Sequence, residues 1–325
     1  MRDPPTPGPA GKIITELRMA STATIRRFLW KDVEQLTHMF NDINGILDTE
    51  KAFDVEFMRQ FLSQPSCQPE DHCFVADRDG ALAGFALVAV ELPISRAVVS
   101  GGVVARHRQQ GIGRALLRAA TEHARAFEVS VLHVEVQSDA VQAARILESE
   151  GFYRVKHFWQ MIWQEDEAPE LLLPEGFSLR PFRHGEDEQE LTDLQNSAFG
   201  ENWGFSPNTV EEIGARARLG RVDPDGIIFI LDGSKPAAYN WTLRAANEHI
   251  STGWIAMTGV HPDYRGRRLG RAVVTAGMQH LKRRGVDRIE LEVDSENNAA
   301  RELYLKLGFR KDRETVWFEK QLAKG

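Results

Sequence analysis

The chain contains the same stretch of sequence twice. Residues 102–152 and 259–309 align without a gap at a constant offset of 157 residues, with 15 identities in 51 positions. Gly102-Val103 falls on Gly259-Val260, Arg108 on Arg265, Gly113-Arg114-Ala115 on Gly270-Arg271-Ala272, and Gly151-Phe152 on Gly308-Phe309. A unit this long exceeds a solenoid repeat and suits a whole small domain. The 325 residues are therefore expected to hold two copies of one domain type, each with enough chain for its own core.

What surrounds the repeat narrows the function. A net charge of −7 argues against a dedicated nucleic-acid binder. No window approaches the roughly 18 apolar residues of a membrane span. Two cysteines, Cys67 and Cys73, exclude a disulfide framework and point to a reducing, cytoplasmic setting. The proline-rich start, Met1 to Gly11, has no apolar core of a secretory signal and reads as a disordered tail over residues 1–18, with Met19 as a candidate natural start. No metal site is expected.

Both copies show one order of elements. Thr22–Phe28 and Phe177–Phe182 suit first strands. Helical patterning follows over Asp32–Asn41 and Phe53–Phe61 in one copy, and over Asp187–Phe199 and Thr209–Arg218 in the other. Two strands joined by Asp-Gly turns come next: Cys73–Ala76 with Ala83–Val90, and Ile227–Leu231 with Ala237–Arg244. A fourth strand (Val98–Ala105; Trp254–His261) enters an arginine- and glycine-rich loop, followed by a long helix, a strand, a helix and a final pair of strands. The fold class is mixed α/β. Domain limits of 19–166 and 176–325 follow, with a linker over 167–175.

The loop between fourth strand and helix carries the chemistry. In the first copy it reads Arg108-Gln109-Gln110-Gly111-Ile112-Gly113, and in the second Arg265-Gly266-Arg267-Arg268-Leu269-Gly270. Glycines there let backbone N–H groups converge, and a helix N-terminus adds the positive end of its dipole, which together cradle a pyrophosphate. Water alone at a glycine-rich helix entry is the plainer reading.

Arg-x-x-Gly-x-Gly between strand and helix resembles motif A of the GNAT N-acetyltransferases. Asn297-Asn298-Ala299-Ala300-Arg301-Glu302-Leu303-Tyr304, leading to Gly308-Phe309, is similar to a second signature of that family. The resemblance covers nearly the whole chain as two tandem GNAT domains. It implies, for each, a central mixed, mostly antiparallel sheet flanked by helices, and acetyl-CoA as the donor. Carried onto this sequence, it assigns donor contacts to Thr258, Gly259, Val260, the loop Arg265–Gly270, Arg271 and Asn297. In the first copy it assigns them to Val103, Val104, the loop Arg108–Gly113 and Arg114.

The copies depart from the family pattern differently. The first has Ala140 and Leu147 where the second has Asn297 and Tyr304. In the family that tyrosine protonates the departing thiolate, which leucine cannot do, so the second copy is expected to be catalytic. Arg268 stands where the first copy has Gly111, and its tolerance is expected to require negative φ. Amides around Thr258–Val260 would polarise the thioester carbonyl. The family's strand-four glutamate is replaced by Trp254, Ile255 and Ala256, leaving His249, His261, Glu201 and Asp294 as candidate bases. Tyr304 is otherwise a core aromatic, Asn297 a helix cap, and His123 and His280 packed or surface groups. Glu135 and Glu292 read most simply as lying on an exposed strand face.

In GNAT proteins the connection between the first two helices borders the acceptor. Here it holds Glu201, Trp203 and Phe205, with Tyr239 and Trp241 on the neighbouring strand as further candidate walls. Packing of these aromatics against the first domain or in the core is the alternative. The expected activity is acetyl transfer to a primary amine of a small molecule, by a monomer whose two domains form a pseudo-dimer. The competing readings are a longer acyl donor, a protein N-terminus as acceptor, or a non-catalytic acyl-CoA sensor.

Overall fold

The computed structural model describes residues 23–47, 49, 51–223, 225–245 and 252–322. The expected tail, Met19 and His249 lie outside the described residues. The first half runs β1 (Thr24–Arg27), α1 (Val33–Ile43), α2 (Val55–Leu62), α3 (Pro69–His72), β2 (Cys73–Arg78), β3 (Ala81–Glu91) and β4 (Arg96–Val103). It continues with α4 (Ile112–Arg125), β5 (Val131–Gln137), α5 (Val141–Ser149) and β6 (Tyr153–Trp163). The second half repeats this order without the short α3: β7 (Phe177–Pro181), α6 (Glu188–Phe199), α7 (Val210–Ala217), β8 (Ile227–Asp232), β9 (Lys235–Arg244) and β10 (Thr252–Val260). It closes with α8 (Leu269–Arg283), β11 (Arg288–Asp294), α9 (Asn298–Lys306) and β12 (Arg310–Gln321). Each half thus ends in one long strand where a pair is expected.

Local chemistry explains the helix starts that frame the site. The Asp54 carboxylate accepts from the Phe57 N–H at 2.7 Å, capping α2. Thr209 and Glu212 form a reciprocal capping box on α7. Asn297 caps α9, its Oδ1 accepting from the Ala300 N–H at 3.1 Å, whereas Ala140 at the matching start of α5 has no capping side chain.

The two halves share one sheet. All described strands join it in the order β1-β2-β3-β4-β5-β12-β6-β11-β10-β9-β8-β7. The pairing is antiparallel except β4 with β5 and β10 with β11. The final strands have changed places: β12, from the end of the chain, pairs with β5 of the first half, and β6 pairs with β11 of the second. The cores follow the strands. Val316, Phe318 and Leu322 pack with Leu116, Ala120 and Leu132 of the first half, while Met161 and Trp163 pack with Val274, Met278 and Leu291 of the second. Each fully buried side chain of this kind contributes about 2 kcal/mol to burial, so each half depends on a strand lent by the other.

Candidate active site

Two parallel strand pairs open partway along their length. β4 and β5 are hydrogen-bonded from Arg96↔Val131 to Val99↔Val134, then part; β10 and β11 are paired from Thr252↔Arg288 to Ile255↔Leu291, then part. Beyond the last pair, the facing edges have unpaired N–H and C=O groups, which an extended amide-bearing ligand can satisfy. The fork leads to the loop and helix N-terminus picked out by the repeat.

The loops have one backbone shape in both copies. Left-handed φ occurs at Gln109 (62°) and Gly111 (80°), and at Gly266 (78°) and Arg268 (64°). Each copy thus has two left-handed positions and spends glycine on only one of them, at opposite places. The expectation that Arg268 keeps negative φ is wrong. Arg268 accepts the left-handed strain of about 1–2 kcal/mol, and the N–H concavity is preserved. No heavy atom lies within 4 Å of where a Cβ on Gly111 or Gly266 would sit, so these glycines answer to φ and not to crowding. Gly259 is different: a Cβ there would meet Tyr239 at 2.8 Å and Ala198 at 2.9 Å, where the end of α6 lies against β10.

Several loop side chains are engaged within the protein. Arg108 donates from Nε to the Val103 carbonyl at 3.0 Å, and Arg265 from Nη2 to the Ala198 carbonyl at 2.9 Å, so both brace the loop. Arg114 donates to Ser149 at 2.8 Å and pairs with Glu150. Gln110 accepts from Arg78, Arg267 lies over the Tyr264 ring, and Arg268 and Arg271 are exposed. Ile112 and Leu269 are buried, Val104 is buried at the end of β4, and Gly113 and Gly270 stand in the first turns of α4 and α8. What the loops offer a phosphate is therefore mainly backbone.

A cavity of about 1290 Å³ starts at the first loop. Its walls are Val99–Val103, Arg108, Gln109, Gly111, Gly113 and Arg114, then Val134–Gln137 and one side of α5 from Val141 to Leu147. On the side of α1 and α2 it is lined by Phe40, Ile43, Met58 and Phe61. It also reaches Gln160, Glu292 and Thr315, which lie on the exchanged strands and β11.

Tyr304, the counterpart of Leu147, is buried on α9 against Phe309, at 5.9 Å between ring centres. Burial pushes its hydroxyl up to about 12, so it stays protonated at neutral pH.

The aromatic acceptor candidates separate. Trp203 crosses from the second half onto the first, where its ring meets His133 (5.1 Å) and Trp317 (5.6 Å), with Arg96 at 6.0 Å. Phe205 stacks on Phe199 at 5.6 Å, and Glu201 is exposed. Tyr239 and Trp241 are corrected from wall to core. Tyr239 is wholly buried, its hydroxyl accepting from Gln195 Nε2 at 2.9 Å, and Trp241 packs with Phe229 and Leu191. They lie on β9, between two other strands of a sheet covered by α6 and α7, so their large side chains fill its core.

The candidate bases also have other partners. Asp294 pairs with Lys156 at 3.0 Å, and His261 Nδ1 accepts from the Asp263 N–H at 3.3 Å.

Two carboxyls deserved more notice in the sequence. Glu135 and Glu292, matched by the repeat, both line the large cavity, close enough for the charge of Glu135 to raise the Glu292 carboxyl, and Thr315 donates to Glu292 Oε1 at 3.0 Å. The signal was available: one acidic residue recurs at the same register immediately past the last paired residue of each fork.

The sequence profile of the Acetyltransferase (GNAT) family matches residues 33–152 and 188–309. A mycothiol acetyltransferase of Stackebrandtia nassauensis is 31% identical over 259 residues, covering 78% of this chain and 84% of that protein. One from Salinispora arenicola is 34% identical over 247 residues, covering 74% and 78%. Among solved structures, a tandem GNAT protein from the clavulanic acid biosynthesis pathway matches 92% of this chain and 98% of its own, with a TM-score of 0.72 at 18% identity. A GCN5-related N-acetyltransferase from Sphaerobacter thermophilus matches 92% and 95%, with a TM-score of 0.71 at 23% identity. At those identities the structural matches speak for the fold.

Proposed function

The chain belongs to the GNAT acetyltransferase family as a tandem, acyl-CoA-dependent acetyltransferase, and on that footing we propose that it acetylates a primary amine of a small molecule, with the chemistry in the second half. The observation that carries this reading is the buried, protonated Tyr304 at the register where the first half has Leu147. Acetyl-CoA, when bound, supplies a thioester-activated acetyl group. The loop Arg265–Gly270 and the first turn of α8 hold its pyrophosphate through backbone N–H groups. The open edge of β10, Thr258 to Val260, binds the chain leading to the thioester and polarises its carbonyl. Tyr304 delivers a proton to the sulfur as it leaves.

The acceptor is proposed to be a small amine, met at the connection between α6 and α7, where Glu201 is exposed and Phe205 stacks on Phe199. The relatives named mycothiol acetyltransferases support a small-molecule acceptor of that kind. No described helix is long and apolar enough to cross a membrane, and we propose a monomer in the cytoplasm, the exchanged halves serving as its dimer.

A second reading, in which the first half also holds acyl-CoA, is favoured by its large cavity and intact loop. Calorimetric titration with acetyl-CoA separates the two. Binding abolished by Gly270→Trp alone assigns the donor to the second half. Loss by Gly111→Trp alone would sink that assignment, and loss of one site from each variant supports donor binding in both.

A further inference from the structure

The structure leaves two carboxyls without a cation. On β5, Leu132 and Val134 face α4; on β11, Leu291 and Val293 face α8. Strand alternation turns Glu135 and Glu292 to the opposite face, the side of α1, α2, α6 and α7. They reach toward each other across β12 and β6, with Thr315 between them. Glu135 keeps Oε1 fully buried with no hydrogen-bond partner. The charged neighbours on the surrounding strands are paired, as is Arg114 with Glu150, while Arg108 and Arg145 line the same cavity with no carboxylate partner among the described residues. His133 pairs with Glu319, Lys156 with Asp294 and Glu296, Glu290 with Lys51 and Arg288, and Arg96 with Glu91. Among the ion pairs of the described residues neither Glu135 nor Glu292 has a partner. Two like charges so close in a cavity cannot both be ionised cheaply unless a cation joins them.

Glu292 is also well placed for the reaction. It is the first residue past Leu291, where β10 and β11 part, and it faces the side opposite Tyr304, which packs with α8. An acetyl thioester lying in that fork would have the tyrosine on one side and the carboxylate on the other.

Resting on the function proposed above, we infer that Glu135 and Glu292 form the acceptor-ammonium site, with Glu292 as the catalytic base that replaces the absent strand-four glutamate. The incoming ammonium displaces the proton the pair shares. Glu292 then takes one proton from the ammonium, and the freed nitrogen lone pair attacks the thioester carbonyl carbon. The C–N bond forms and the C–S bond breaks, with the C–S electron pair leaving on sulfur, which Tyr304 protonates. The remaining nitrogen proton passes to Glu135. The pair keeps one of these two protons as the one it shares at rest and releases the other to solvent, from which Tyr304 is reprotonated; with the proton displaced on binding, each turnover yields an amide, a thiol and one net proton. Burial first, and then the charge of Glu135, push Glu292 up to about 7; although exposed, it is exposed to the cavity it lines. A base poised there works at neutral pH and is lost as pH falls through that value.

The test uses the full chain and its Glu292→Gln and Glu135→Gln variants, with acetyl-CoA and glucosamine, spermidine and cysteine methyl ester as amines. N-acetylated product is measured between pH 5.5 and 9. Glu292→Gln should lower kcat/KM about 100-fold or more and abolish the acidic limb near pH 7, while acetyl-CoA affinity and melting temperature stay at the wild-type values. Glu135→Gln should raise KM for the amine more than it lowers kcat. Wild-type rate and pH profile in Glu292→Gln would overturn the inference. In parallel, carbon-13 NMR of δ-labelled glutamates follows the pair without turnover. A carboxyl titrating near neutrality, missing from Glu292→Gln and moved to lower pH by spermidine, supports the site. No such carboxyl, or one that spermidine leaves in place, refutes it. A chain that binds spermidine by NMR yet acetylates none of the three amines retains the ammonium site, refutes the base, and counts against the proposed function itself.

Discussion

Tyr304 and Leu147 occupy one position in two copies of a fold, where one copy carries a phenol and the other an aliphatic side chain with no proton to give. Tyr304→Phe keeps the ring packed against Phe309 and deletes only the hydroxyl that is proposed to protonate the leaving sulfur. We expect kcat to fall about 10²–10⁴-fold, with acetyl-CoA affinity unchanged by calorimetry. An unaltered rate would remove Tyr304 from the mechanism. The left-handed positions of the loops give a second test. Arg268→Gly relieves backbone strain at φ 64°, so urea unfolding should show a gain of up to about 1 kcal/mol after the entropic cost of glycine. Gly111→Ala, at φ 80°, should lose about 1 kcal/mol. A negative φ at residue 268 was the natural expectation, because an arginine carries the Cβ that the left-handed region penalises. The repeat held the correction: Gln109 and Gly266 trade glycine at one position as Gly111 and Arg268 do at the other.

At the level of elements, the order of strands and helices was legible because hydrophobic periodicity and Asp-Gly turns are local signals. Even the forked strands could be placed from the repeated Gly-Val and the loop that follows. The destination of β6 and β12 was not legible, since an alternating strand reads the same whichever neighbour it joins. The same blindness hid the carboxyl pair: Glu292 is exposed and Glu135 half-buried, much as an open strand face would have them, and only the exchange, which puts β5 and β11 on either side of two shared strands, turns both toward one cavity. Tyr239 and Trp241 erred the other way, because alternation fixes a face but not what covers it. The exchange makes a prediction. Phe318, near the C-terminus, packs in the first half's core, so Phe318→Ala should cost about 3–5 kcal/mol and speed hydrogen exchange first in α4 rather than α8. Faster exchange confined to α8 would contradict the strand assignment.

For the molecule as a whole, shared strands turn two domains into one cooperative body. A fragment of residues 19–166 should lack the partner of β5 and expose the apolar face that Val316 and Phe318 cover. We expect it to be insoluble or to melt without a cooperative transition, and to be rescued by co-expression with residues 167–325, as read by size exclusion and circular dichroism. A soluble fragment that melts cooperatively alone would show the halves to be independent. In the intact chain, calorimetric and van't Hoff enthalpies should agree, as for a single two-state unit.

The place of β12 also bears on the order of events at the ribosome. Everything else in the first half's sheet up to β5 is made by residue 137, yet the strand that covers its open edge begins at residue 310. At roughly 5–20 residues per second, that edge waits on the order of ten seconds or more. Through this interval it is an unpaired strand with an apolar flank, the kind of surface that recruits other nascent chains. Birth order and folding order are thus reversed here: the half synthesised first is the one that must be finished last.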